Sequence, residues 1–141
     1  MLYKPENFHA KEKTACLKAL VYILDLSDKQ NNAKEQYFLL QLKNIGIAEE
    51  KYKEMKRPIN IDTVITSLKA LDNIRAQRFI IREMIMLVIA GCDIADEEIR
   101  HIYQIAEAIG VSGEKVGDFF IWAAKGIEWN IEGIQLIEED L

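Results

Sequence analysis

"AEAIGVSGEKVGDF" (106–119) decides the fold once it is set beside "LKNIGIAEEKYKEM" (42–55), 64 residues earlier. In each stretch a glycine (Gly46, Gly110) ends a helical apolar pattern, an aliphatic residue follows (Ile47, Val111), and a small residue comes next (Ala48, Ser112). Five positions after the aliphatic residue stands another apolar one (Tyr52, Val116). The glycine supplies the backbone freedom that a helix C-terminus needs, and the two apolar residues can clasp the start of the next helix. The spacing therefore predicts a tight helix-to-helix turn, made twice. The same offset pairs Phe38 with Ile102, Leu42 with Ala106 and Ile45 with Ile109, so the apolar faces of the preceding helices correspond as well. Two units fall short of a solenoid array, which needs about three or more.

Working outward, helical periodicity fills most of the chain. A first helix is expected over about 11–26, where Cys16, Ala19, Leu20, Ile23 and Leu24 share one face. Others are expected over about 33–44, 49–55 (stopped by Pro58), 62–71 (capped by Asn60 or Asp62), 74–90, 96–109 and 113–125. The helix at 74–90 is apolar over most of its circumference in its second half, which marks it as the central element. A last amphipathic piece, 129–141, is expected to fold back and cover Trp122. The prediction is an all-α fold: one compact domain over 1–141, seven to eight helices, two pseudo-repeated hairpins around a buried central helix, and a frayed start at 1–10.

Composition agrees. At 141 residues, half of them apolar, the chain can bury a core without staples. Two prolines and seven glycines leave little room for the turns of an all-β fold. Residues 1–57 hold 11 Lys and Arg against 8 Asp and Glu, whereas 58–141 hold 7 against 15. So acidic a second half argues against nucleic acid, whose binding requires clustered cations. The longest apolar run, 84–90, is far shorter than the roughly 20 residues of a membrane span. No signal peptide is read at the N-terminus, so the expectation is a cytoplasmic protein without a span. Cys16 and Cys92 lack metal-site or redox spacing, and no disulfide is expected between them.

"GCDIADEEIRH" (91–101) concentrates chemistry: a thiol, two aspartates, two glutamates and a histidine. As a metal site it would use Asp93, Asp96, Glu97 and Glu98 for a hard cation, Asp93 and Glu98 above all, or Cys92 and His101 for a softer one. Capping accounts for more of its positions. Asp96, Glu97 and Glu98 sit in a first helical turn, where carboxylates meet the positive end of the helix dipole, and Ile94 can staple onto Ile99 if Ala95 is the cap. Helical geometry sets His101 away from the buried face and Glu98 at its edge. Glu6-x-x-His9 and Glu98-x-x-His101 have the spacing of a di-iron bundle, but such a site needs both motifs in the core. With two histidines in the chain, no catalytic triad can be assembled.

The paired hairpins, each with an acidic loop before it, resemble the tellurite-resistance TerB-like family. Ala90, Ile94, Glu98 and the turn Ile109-Gly110-Val111 match that family's marks, while Gly91 and Cys92 stand at its loop aspartate and glycine and Lys34 at its first-half glutamate. The resemblance implies a non-catalytic interaction module of a bacterial stress-response or envelope-associated assembly, with a protein partner. It also implies weak divalent-cation binding at Asp93 and Glu98; the departures remove hard oxygen ligands. No other cofactor is expected. The rival reading is a small metal-dependent helical enzyme using Glu98 and His101, and a third is a structural or homo-oligomer-forming subunit. Arg75, Arg78 and Arg82 form a cationic stripe that is either a solvated edge or a dock for an acidic partner, and Trp122 is the other partner-binding candidate.

Overall fold

The computed structural model describes residues 8–26, 32–91 and 94–139. Among them are seven helices and no strand: α1 (Ala10–Leu26), α2 (Asn32–Ile45), α3 (Glu49–Lys53), α4 (Ile61–Lys69), α5 (Ile74–Ala90), α6 (Asp96–Ala108) and α7 (Gly113–Glu138). The expected start at 1–10 falls largely outside the described residues.

Both glycine turns form. Gly46 and Gly110 adopt φ of 83° and 85°, the left-handed region that costs any residue with a Cβ. After them, Ile47 N donates to Leu42 O and Val111 N to Ala106 O, each at 2.8 Å. The glycine amides donate to Lys43 O at 3.2 Å and Glu107 O at 3.1 Å. Crossed hydrogen bonds of this kind satisfy carbonyls that a helix end otherwise leaves open. Ser112 caps α7 by accepting from Lys115 N, whereas Ala48 caps α3 with no side-chain bond. Asn60, not Asp62, caps α4, and Asn73 caps α5.

α5 packs against α1, α2, α6 and α7, and α4 lies across α1 and α6. The apolar circumference predicted for α5 is used on several sides: Phe79, Ile80, Ile81, Met84, Ile85, Leu87 and Val88 are all buried. Full burial of such side chains stabilises by about 1.5–3 kcal/mol each. Opposite them on α1 stand Cys16, Ala19, Leu20 and Ile23, none with measurable exposure. Phe8 meets Phe79 edge-on at 5.3 Å, and Phe38 meets Tyr52 at 4.8 Å. Gly91 follows α5, as its sequence position suggested, but in the right-handed region at φ −73°.

The C-terminal expectation is overturned. Residues 113–138 form one continuous helix, and no separate piece returns over Trp122. Gly126 lies at the expected break, yet glycine inside a helix costs only about 1 kcal/mol relative to alanine, and the sharp helix-ending turn that glycine favours needs positive φ. Among the described glycines only Gly46 and Gly110 do so. Beyond Ala123 every described residue of α7 is exposed. The helix thus runs about 22 Å past its last buried residue.

Candidate functional site

The charged stretch at the start of α6 leads inward. Glu98 is buried, and its Oε2 accepts from Lys34 Nζ at 2.9 Å, with side-chain exposures of 3% and 4%. Burial of either charge alone would cost several kcal/mol, so the two must be held together. Lys34 and Glu98 occupy the third helical positions of α2 and α6, 64 residues apart, the offset of the repeated turns. The glutamate suits the positive start of its helix and the lysine does not. The sequence reading set Lys34 aside as a departure from a pattern; the offset was the signal that pointed to Glu98.

The other residues of 91–101 are dispersed. Asp93 and Cys92 lie outside the described residues, so the proposed pairing of Asp93 with Glu98 on a cation does too. Asp96 and Glu97 are exposed, Ala95 caps the helix without a side-chain bond, and Ile94 is 46% exposed. Among the described residues no group of three or more His, Cys, Asp and Glu side chains could hold a metal.

His101 is not turned away from the body as helical geometry alone suggested. Tyr22 of α1 crosses to it, with Tyr22 Oη 2.5 Å from His101 Nδ1 and the rings stacked at 5.9 Å. Glu97 Oε1 lies 3.9 Å from His101 Nε2. Burial, and then the charge of Glu97, raise the Tyr22 phenol pKa and hold it neutral. Glu98 and His101, the pair of the metal-enzyme reading, are therefore each engaged by a different helix. On α2, Gln41 reaches α5 by donating to Glu83 O at 3.0 Å and Glu83 Oε2 at 2.9 Å. Burial and the nearby Glu83 push the Tyr37 phenol up to about 12.

The remaining candidates share one edge. Arg75 and Arg78 are exposed on α5. Arg82 bonds Glu83 at 3.0 Å and lies over two rings, Phe79 at 5.0 Å and Trp122 at 5.3 Å. These three arginines, Phe79 and Phe119 of α7 line a shallow groove. The cationic stripe and Trp122, separate in sequence, are thus one surface. Beyond it α7 also exposes Ile127, Trp129, Ile131, Ile134, Leu136 and Ile137, all 40% exposed or more, with Trp129 and Leu136 in line with Trp122. No described helix is long and apolar enough to cross a membrane.

No family model matches the chain, and no curated protein or solved structure is matched either.

Proposed function

We propose that this chain is a non-catalytic interaction module with a TerB-like, duplicated helical body, working in a bacterial stress-response or envelope-associated assembly through a protein partner. The observation that carries the interaction reading is the apolar surface of distal α7 running into the arginine edge of α5. Eight large apolar side chains of α7 are exposed there. A typical monomer's largest apolar patch is about 300–600 Å², often functional, and a surface beyond that marks an interaction site. The duplicated reading is supported by α1 and α5, both 17 residues long and beginning 64 residues apart, and by the matching turns after α2 and α6.

Against the metal-dependent enzyme stands the engagement of Glu98 by Lys34 and of His101 by Tyr22. Weak divalent-cation binding at Asp93 and Glu98 belongs to the same proposal as a modulating feature; a cation there would have to share Glu98 with Lys34, and calcium and magnesium titration checks it.

Co-purification from native cells tests the main reading. The unaltered chain should retain a protein partner at fixed ratio, and Arg75→Gln/Arg78→Gln/Arg82→Gln combined with Trp129→Ser should fold and lose it. Equal retention by that variant, or a stoichiometric metal centre in the purified protein, would sink it.

A further inference from the structure

Distal α7 has an arrangement that fits itself. Trp122, Trp129 and Leu136 recur every seven residues, 40%, 74% and 68% exposed, and form one stripe along the helix. Seven residues are nearly two turns, so the three follow one another at intervals of about 10.5 Å. Trp129 is the midpoint. Lys125 and Glu132, four residues before it and three after, lie on one flank of the stripe. Past Leu136 the helix ends in Glu138 and Glu139, while beside Trp122 the α5 edge offers Arg75 and Arg78.

We propose that the occupant of this surface is a second copy of the chain, with the two α7 helices antiparallel and the two-fold axis at Trp129. An isologous contact requires a patch complementary to its own rotated image. Rotation about Trp129 puts Trp122 against Leu136 of the second copy, and Lys125 beside Glu132 of the second copy. It also brings the acidic helix end level with Phe119, next to Arg75 and Arg78. Each opposite-charge contact is made twice. A parallel pair would instead put the two Lys125 side chains, and the two Glu132 side chains, on opposite flanks of the seam, so that Lys125 would not meet Glu132 of the second copy. Among the described residues, nothing beyond the adjoining residues and backbone of α7 itself lies within 4 Å of where a Cβ on Gly126 or Gly133 would stand, so backbones can approach beside Trp129. A standard interface takes about 800 Å² from each partner, and Trp122, Trp129 and Leu136, with exposed Ile121 and Ile137 to either side, are the large apolar side chains this face offers toward it.

The inference rests on the reading of distal α7 as an interaction surface, and sedimentation of the full chain over a wide concentration range separates the two. The unaltered protein should dimerise. Lys125→Glu and Glu132→Lys should each weaken the dimer by about tenfold or more, since like charges then meet twice. Mixed in equal amounts, these two variants should form a heterodimer close to unaltered affinity, and K125E/E132K in one chain should restore the homodimer. Circular dichroism of each variant checks that α7 stays helical. A dimer whose charge variants fail to complement on mixing overturns the antiparallel register. A monomer at every concentration overturns self-association; if Trp129→Ser still abolishes co-purification of a native partner, the interaction reading stands, and if it has no effect that reading falls too.

Discussion

The helices that follow the two glycine turns could hardly differ more. After Gly46 the chain makes five helical residues and stops short of Pro58; after Gly110 it makes 26. Yet the turns share their φ angles and crossed hydrogen bonds. A turn therefore sets the direction in which the next helix leaves, and its length is decided by what comes later: proline in the first hairpin, no proline in the second. The hairpins differ again at their third helical positions, Lys34 against Glu98, and there the difference joins them.

That ion pair offers the sharpest way to break the comparison. Glu98→Ala removes the carboxylate that the buried Lys34 ammonium donates to and should cost about 3–5 kcal/mol, measured by urea unfolding. Lys34→Met with Glu98→Leu should recover most of it. If the two positions are equivalent, the exchange Lys34→Glu/Glu98→Lys will also retain most of the stability; collapse of the exchanged protein would mean that the two surroundings differ.

The turns come next. Gly46→Ala and Gly110→Ala should each destabilise by about 1–2 kcal/mol, because alanine must then sit in the left-handed region. A Cβ at Gly46 would approach Lys13 Nζ to 3.3 Å, and one at Gly110 meets nothing. Since a lysine tip can move, losses that agree within about 0.5 kcal/mol are expected. A larger gap would show that the turns are not interchangeable.

A smaller, pH-confined effect belongs to Tyr37 of the first hairpin. With the folded pKa of Tyr37 raised from 10.0 to about 12, its contribution is fully present below pH 10 and lost as pH rises through 12. The urea midpoint should fall across that window, and Tyr37→Phe should reduce the slope. An unchanged slope would remove Tyr37 as a cause.

Least of all should follow from deleting residues 126–141. Every described residue of that segment is exposed, so the change in body stability should stay below about 0.5 kcal/mol. A loss above about 1 kcal/mol would mean that the extension braces the body.

Local features were the legible ones. Apolar spacing located all seven helices, because each helix here carries its own periodic signal, and the glycine turns were readable because few residues tolerate their backbone. The arginine stripe could be read along α5 as well. What could not be read depends on residues far apart in sequence meeting: Lys34 with Glu98, Tyr22 with His101, Arg82 with Trp122. Helical geometry alone placed His101 outward because a helical wheel knows nothing of a tyrosine arriving from α1. The C-terminal piece was misread for a different reason. Its apolar residues suggested self-coverage, but composition records only that a surface needs covering.

Both tryptophans of the chain, Trp122 and Trp129, stand on α7 at or beyond the rim of the body. Intrinsic tryptophan emission therefore reports on this helix and is nearly silent about the core around α5. A blue shift on raising concentration would read out coverage of α7 directly, with no label, whereas a folded-to-unfolded titration followed by the same light would miss most of the molecule.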